Sequence, residues 1–471
     1  DDYPIDVEKG IFYLEHSING GSIEAAIYLC QLLIEGKVIP KDLERAEKYL
    51  EKYLDSNEPT IIMLYGKIMK EKQFYTSAFE FFDKSSNLGN YEAMYNKGLM
   101  LDTGEGTDIN KREACHCFKL AADKGHTDSM VKYAFKLYTG DGVTANIQES
   151  NRYYKNAADN GNINAMFIYA TLLQNGTRIN VDKKEAARYY KMAADLGHIG
   201  AMNNYGLMLH SGDGIPVDHK EACRYYKMAA DQGEMNAMKN YAIMLEKGEG
   251  VEKNIEESRR YFKMSADHGN IDMMEYYACL VKEGNKTEAA HYYKMAADLG
   301  HIGAMNNYGF MLHYGDGIPV NYKEACRYYK MAADQGEMNA MSNYGLMLDK
   351  GLGIEVNKKE AARYYKMAAD LGQIKAMNNY GFMLNNGDGI PVDHKEACRY
   401  YKMAADQGEM NAMKNYAIML EKGEGVEKNI EESRRYFKMS ADHGNIDMME
   451  YYACLVKEGN KTEAAHYYKM A

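Results

Sequence analysis

The sequence has no tryptophan, only six prolines and no long apolar run among its 471 residues. A helix that crosses a bilayer needs about 20 mostly apolar residues in succession, so membrane insertion is not expected. Hydrophobic residues make up 46% and charged residues 27% of the chain, which argues against disorder. The composition therefore predicts a folded chain that does not enter a membrane.

Clusters of basic residues are also lacking, and the formal net charge is −11. Proteins that bind nucleic acids neutralise phosphates with patches of Lys and Arg. Anionic membrane surfaces attract polybasic segments in the same way. Neither a nucleic acid nor an anionic membrane is therefore expected as a partner.

Paired cysteines are missing as well, although the chain has eight cysteines. A disulfide framework would place two of them in fixed register in each repeat. The sequence instead predicts free, mostly buried thiols in a reducing compartment, and hence a cytoplasmic location. The chain starts at Asp1 without an initiator Met, so a removed signal peptide stays an open alternative, and both ends are expected to continue the array.

What the sequence does contain is a tandem repeat that closes with Ala-Ala-Asp-x-Gly. Aligned on this ending, twelve complete units span 23–445, with partial units at 1–22 and 446–471, so that 1–471 forms one array. The complete units are 23–58, 59–90, 91–126, 127–162, 163–198, 199–234, 235–270, 271–301, 302–337, 338–373, 374–409 and 410–445.

A longer duplication lies over these units. Residues 235–296 recur without change as 410–471, and residues 163–234 reappear with substitutions as 338–409. The chain thus contains two near-duplicate blocks, 163–296 and 338–471. A site formed within one block is expected, almost unaltered, in the other.

Each unit has the pattern of a helical hairpin, as residues 199–234 illustrate. Ala201, Tyr205 and Leu209 are spaced to form one buried stripe of a first helix. A Gly-Asp-Gly sequence then ends that helix, and Asp218 is a good N-cap for the second helix. Such a hairpin is too small to bury its own core, so the units must stack into an all-α array.

These residues resemble the Sel1-like repeat family, a relative of the tetratricopeptide repeat. The family pattern is Ala, Leu-Gly, Gly-x-Gly-Val, Asp, Ala, Trp-Tyr and Ala-Ala-x-x-Gly, and Tyr replaces the usual Trp here. The matching positions are Ala201, Tyr205-Gly206, Gly212-Asp213-Gly214-Ile215, Asp218, Ala222, Tyr225-Tyr226 and Ala229-Ala230-Asp231-Gln232-Gly233.

The resemblance implies an α-solenoid, a right-handed superhelix whose first (A) helices line the concave face and whose second (B) helices lie outside. Members of the family mostly act as adaptors. One branch, with a disulfide in every repeat, is linked to binding of cell-wall fragments or penicillin. This sequence lacks those paired cysteines, so the resemblance does not extend to that activity.

The candidate binding residues are an asparagine ladder and an apolar row on the predicted A helices. The ladder consists of Asn96, Asn204, Asn240, Asn307, Asn343, Asn379 and Asn415. The apolar row comprises Leu207, Ile243, Phe310, Leu346, Phe382 and Ile418. An amide both donates and accepts hydrogen bonds, which suits a peptide backbone. Two interpretations stay open: contact with a partner, or bonds and packing between neighbouring repeats.

No catalytic, metal or cofactor site is predicted from the sequence. The Gly-Asp-Gly loops lack the Gly-Lys-Ser/Thr of a phosphate-binding loop. Cys115, His116 and Cys117 are consecutive, so on a helix their side chains diverge, and no Cys-x-x-Cys partner exists. Because each acidic residue has counterparts in other repeats, a unique catalytic centre is not expected.

The sequence therefore favours a non-catalytic scaffold or adaptor that binds a peptide or partner helix along its concave face. The two near-duplicate blocks would then hold two copies of one motif. The first alternative is a ligand-binding or hydrolytic module acting on small molecules or cell-wall fragments. The second is a structural or filament-associated protein with partners on the B helices, for instance around Arg224 and Lys227.

Overall fold

The computed structural model describes residues 7–471, which form α-helices, one short 3-10 helix and no β-strand. The first helices are α1 (Val7–Asn19), α2 (Ile23–Glu35), α3 (Leu43–Glu51), α4 (Pro59–Glu71), α5 (Tyr75–Asn87), α6 (Tyr91–Thr103), α7 (Lys111–Asp123), α8 (Thr127–Thr139), α9 (Ile147–Asp159), α10 (Ile163–Asn175), α11 (Lys183–Asp195), α12 (Ile199–Ser211) and α13 (His219–Ala230). The 3-10 turn Leu54–Ser56 follows α3.

The remaining helices continue the same alternation. They are α14 (Met235–Lys247), α15 (Ile255–Asp267), α16 (Ile271–Val281), α17 (Lys286–Asp298), α18 (Ile302–Tyr314), α19 (Tyr322–Asp334), α20 (Met338–Lys350), α21 (Lys358–Asp370), α22 (Ile374–Asn386), α23 (His394–Ala405), α24 (Met410–Lys422), α25 (Ile430–Asp442), α26 (Ile446–Val456) and α27 (Lys461–Met470). Consecutive helices pack in pairs, which confirms the predicted all-α, tandem-hairpin architecture.

The chain divides into two compact units. One contains the described residues up to Ala237 together with Gly248–Glu252. The other contains Met238–Lys247 and the residues from Lys253 onward. Within each unit, the two helices of a pair pack on each other, and the second helix of one pair packs on the first helix of the next, as α7 packs on α8 and α21 packs on α22.

Local capping explains why the helices begin and end where they do, as α12 and α13 illustrate. The Ala201 amide donates to His198 Nδ1 at 3.1 Å, which caps the start of α12. Gly212, in the left-handed conformation, ends this helix. The Glu221 amide donates to Asp218 Oδ1 at 2.9 Å, so Asp218 is the N-cap that the sequence predicts.

In several pairs a glycine of the A helix lies against a tyrosine ring of the B helix. A Cβ atom added at Gly206 would lie 2.8 Å from Cε1 of Tyr226, and at Gly309 it would lie 2.9 Å from Cδ1 of Tyr329. A side chain at these positions would therefore displace the tyrosine ring. The pair α10–α11 has Ala170 and Tyr190 at the same two positions, so the hairpin also forms with alanine.

Tyrosines form the core and also join successive repeats. Tyr205 and Tyr225 pack edge to face with ring centroids 5.0 Å apart. Tyr225 also donates to Asp195 of the preceding repeat at 2.6 Å. Equivalent bonds run from Tyr153 to Asp123, Tyr189 to Asp159, Tyr328 to Asp298, Tyr364 to Asp334, Tyr400 to Asp370 and Tyr436 to Asp406.

This Tyr–Asp contact shifts the pKa of both groups. Burial, together with the bond to Asp195, raises the pKa of Tyr225 to about 12. Burial alone would raise the pKa of Asp195, but hydrogen bonds from Lys191 and Tyr225 hold it below its ordinary value. The folded array therefore favours an ionised aspartate beside a neutral tyrosine.

Six of the eight cysteines are buried, and Cys279 and Cys454 are exposed, so the prediction of mostly buried cysteines is confirmed. Burial raises the pKa of Cys30 to about 12 and that of Cys398 to about 11. None of the helices between residues 7 and 471 is long and apolar enough to cross a bilayer.

Candidate functional site on the A helices

The ladder asparagines lie on the first helix of each pair, which we call the A helix, and the second is the B helix. All seven are half-buried. They lie on α6, α12, α14, α18, α20, α22 and α24. The structure thus places these side chains at the boundary between the packed interior and the surface.

In the second unit, several of these amides bond to the preceding helix pair. Asn343 Nδ2 donates to Asn306 Oδ1 at 3.0 Å, and Asn307 Nδ2 donates to Glu275 Oε1 at 3.1 Å. Asn415 Nδ2 likewise donates to Asn378 Oδ1 at 2.9 Å. These bonds hold neighbouring A helices in register.

The other ladder members are held differently. Asn96 Nδ2 donates to the Glu92 carbonyl one turn earlier in its own helix, at 2.8 Å. Asn204 Oδ1 accepts from Asn203 at 3.5 Å. Asn379 also bonds to the preceding pair, but to Tyr365 on its B helix. The sequence does not distinguish these roles, because the same residue type stands at the same position of each helix.

The apolar row is partly open to solvent. Leu207, Phe310 and Phe382 are 42%, 39% and 50% exposed. Ile243, Leu346 and Ile418 are half-buried. Phe310, moreover, lies under the ammonium of Lys282, whose Nζ is 5.4 Å from the ring centroid. The row therefore combines apolar surface with flanking amides.

The B helices present a different surface, on which charged groups pair with one another. Arg224 donates to Glu221 at 2.6 Å and lies 4.3 Å from the ring centroid of Tyr225. Lys227 pairs with Asp231 at 2.8 Å. The Arg–Glu and Lys–Asp pairs recur at Arg188, Lys191, Arg363 and Lys366.

Open grooves lie between successive pairs on this side. One of about 510 Å³ is lined by Lys184, Arg188 and Tyr205. Another of about 510 Å³ is lined by Lys395, Arg399 and Tyr416 at equivalent positions. The same groove thus forms in different repeats, each time with the same types of lining residue.

One group of potential metal ligands is not evident from the sequence. His210, His219 and Glu249 each bring one ligand atom to within 4.8 Å of the others. They come from the end of α12, the start of α13 and the loop after α14. What points to them is a contact that recurs between repeats: the residue at the position of His219 meets the residue 30 positions later, as Lys183 meets Asp213. This contact is visible only in the stacked structure.

Stacked helix pairs with a regular A-helix surface define the class of α-solenoid repeat proteins, which commonly serve as scaffolds for protein interactions. The family model for the Sel1 repeat matches eleven segments of the chain. They are 23–53, 92–126, 127–162, 163–198, 199–234, 236–270, 280–301, 302–337, 339–373, 374–409 and 411–445. The chain therefore belongs to the Sel1 repeat family, and the resemblance seen in the sequence is confirmed.

Comparison with a solved structure supports the same fold. The structure of c5321, a protective antigen present in uropathogenic Escherichia coli strains and displaying an SLR fold, is similar with a TM-score of 0.72. It is 23% identical, over 98% of this chain and 93% of that one. A Sel1 repeat protein from Oxalobacter formigenes is 27% identical over 58% of this chain and 96% of its own, with a TM-score of 0.33. No curated protein sequence matches the chain significantly.

Proposed function

We propose that this protein is a non-catalytic scaffold that binds an extended peptide or a partner helix along its A helices. The observation that carries this proposal is the solvent-exposed apolar row, represented by Leu207, Phe310 and Phe382. A row of exposed apolar side chains is typical of an interaction surface. Its recurrence at one helix position suits a partner that runs across several repeats.

The ladder asparagines can contribute to binding even where they bond within the fold. A primary amide has two N–H donors and a carbonyl oxygen with two lone pairs. The bond from Asn343 to Asn306 uses one donor, so the second N–H and the oxygen retain capacity for a peptide backbone. Such bonds to the neighbouring repeat also orient the amide before a partner arrives.

The alternatives receive less support. A hydrolytic or small-molecule module would need a pocket with unique polar groups, whereas the grooves near Tyr205 and Tyr416 repeat one another. A structural role through the B helices would use charges such as Arg224 and Lys227, which already pair with Glu221 and Asp231.

Two copies of one motif fit the near-duplicate blocks. Leu207 and Ile243 lie in the block 163–296, and Leu346, Phe382 and Ile418 lie in the block 338–471. Linking two binding sites makes the second contact intramolecular and raises the overall affinity. The buried cysteines support a reducing compartment, and we place this activity in the cytoplasm.

Capture of partners from the cell that makes the protein tests the proposal. The variant Leu207→Ser, Phe310→Ser, Phe382→Ser removes the exposed part of the row. Its matched control is Leu196→Ser, Leu299→Ser, Leu371→Ser, which changes three leucines that are 56%, 56% and 57% exposed at the ends of B helices.

We expect the wild type and the control to retain the same partner and the row variant to lose it. All three proteins should give the same circular-dichroism spectrum and thermal transition. Equal capture by the folded row variant would contradict binding along the A helices. Loss in the control alone would place the partner at the ends of the B helices.

A further inference from the structure

At several junctions between repeats, a lysine at the start of a B helix pairs with the acidic residue in the Gly-x-Gly loop of the next repeat. Lys183 Nζ lies 2.5 Å from Asp213 Oδ1, and Lys286 Nζ lies 2.6 Å from Asp316 Oδ1. The paired residues are 30 apart in the sequence. The junction thus has a recurring position for a cation.

In two junctions a second carboxylate, from the end of the A helix, joins this pair. Lys358 Nζ lies 2.5 Å from Asp349 Oδ1 and 3.5 Å from Asp388 Oδ2. Lys111 Nζ similarly lies 2.8 Å from Asp102 Oδ1 and 3.8 Å from Asp141 Oδ2. Three chain segments therefore converge on the lysine at the start of the B helix, and Lys136 and Lys350 also pair with these carboxylates.

At the junction after residues 199–234, the same three positions hold His210, His219 and Glu249. Their ligand atoms lie within 4.8 Å of one another, and His210 Nδ1 is 3.9 Å from Glu249 Oε2. The Nδ1 atoms of both histidines are buried and have no hydrogen-bond partner. Two imidazoles thus stand where other junctions have the first carboxylate and the lysine of the B helix.

The backbone fixes this arrangement. Gly250 has a φ of +70° and packs on the start of α13, where a Cβ atom would overlap the His219 carbonyl. The neighbouring Glu249 is therefore held beside His219. Because the loop lies directly on the helix, the Glu249 carboxylate lies close to both imidazoles.

We infer that His210, His219 and Glu249 form a binding site for Zn²⁺ or a similar transition-metal ion. Two imidazole nitrogens and a carboxylate are a common zinc donor set, with bonds of about 2.1 Å and a water in the fourth position. Mg²⁺ and Ca²⁺ prefer all-oxygen sites, so the two imidazoles select against them. The ion joins the repeat 199–234 to the loop of the repeat that follows.

The second block supplies an internal control for this site. Its equivalent residues are Asn385, His394 and Glu424, and Gly425 packs on His394 in the same way as Gly250 packs on His219. His394 Nδ1 donates to Asn385 Oδ1 at 2.9 Å. The nitrogen that would bind a metal is thus used in a hydrogen bond, and one imidazole ligand is missing.

Calorimetric titration of the full chain, without an affinity tag, with ZnCl₂ tests the inference. We expect the wild type to bind one zinc ion. His210→Asn gives the first block the residue that the second block has at this position. Because it removes a ligand, it should weaken zinc binding by ~100-fold, as much as the largest losses seen when a residue that supports a ligand is changed. Asn385→His copies the first block into the second, so this variant should bind a second zinc ion.

The double variant His210→Asn, Asn385→His moves the site and should again bind one ion. Zinc should raise the thermal transition of the wild type and leave that of the folded His210→Asn variant unchanged, because an ion that binds the native state stabilises it. Unchanged affinity in His210→Asn, or no binding by the wild type, would overturn the assignment. So would a single ion bound by Asn385→His, since the completed donor set would then not suffice.

Discussion

The two near-duplicate blocks, 163–296 and 338–471, form the same helices but differ on the surface. Most core positions are retained, for instance Tyr226 and Tyr401, which are both fully buried, although the buried Ala170 corresponds to Gly345. Substitutions fall on the A helices and junctions instead: Leu207 corresponds to Phe382, and His210 to Asn385. The comparison indicates that stacking restricts the buried tyrosines, whereas A-helix surface and junction positions can acquire separate roles.

A second difference concerns contacts between A helices. In the first block Phe167 stacks on His198 with ring centroids 4.4 Å apart. The second block has Ser342 and Gln373 at the positions of Phe167 and His198, so it lacks this aromatic stack. The same helix pairs thus form with and without the stack.

The largest expected effect tests whether the two cores are equivalent. Tyr226→Ala and Tyr401→Ala each remove a buried ring and should destabilise their repeat by about 3–5 kcal/mol. Hydrogen exchange of the surrounding amides measures this locally, which suits a repeat array that need not unfold in one step. Losses that differ by more than ~2 kcal/mol between the variants would show that the duplicate cores are not equivalent.

A smaller change in stability is expected when a ladder asparagine is replaced, and its sign should depend on the hydrogen bond that the asparagine makes. Asn→Ala gains about 0.6 kcal/mol of helix propensity, whereas an internal hydrogen bond contributes about 1 kcal/mol. Asn343→Ala loses the bond to Asn306, so it should be slightly destabilising. Asn96→Ala loses only a bond within its own helix and should be neutral or stabilising. Urea denaturation of both variants checks this order, and a more damaging Asn96→Ala would contradict it.

The smallest expected effect concerns how the free energy of unfolding falls at low pH. The pKa of Asp195 and that of Asp370 are lowered in the folded chain, against the effect of burial, by hydrogen bonds from lysine and tyrosine. Their stabilisation is therefore complete above the ordinary aspartate pKa of about 3.9 and is lost as the pH falls through the lower, folded-state pKa. Tyr225→Phe and Tyr400→Phe should flatten this acid loss equally in urea titrations. A steeper loss in either variant would contradict the assigned role of the tyrosine hydroxyl.

The sequence predicts the hairpins well because their signals are local. Asp218 directly precedes the helix that it caps, and the glycine at position 206 recurs at the same position of other A helices that lie close to a tyrosine of the B helix. Contacts between repeats are less evident, because they join residues 25 to 37 apart that vary from one junction to the next. The cluster at His210 illustrates this: its three ligands come from three elements, and none belongs to a local motif.

The roles of the ladder and the apolar row are likewise not decided by their spacing. Asn343 and Asn96 occupy one helix position, yet the first bonds to another helix and the second to its own backbone. Which amide is held by a neighbour depends on the residue that the previous repeat presents. The sequence therefore identifies the residues of this surface, and the structure shows which of their amide groups already hydrogen-bond within the fold.

Site-specific photo-crosslinking tests the central claim most directly. A benzoylphenylalanine in place of Phe382, on an A helix, is compared with one in place of Leu371, at the end of a B helix; the two side chains are 50% and 57% exposed. In the native cell, we predict a crosslink to one discrete partner from position 382 and none from position 371. A crosslink to that partner from position 371 alone would contradict binding along the A helices.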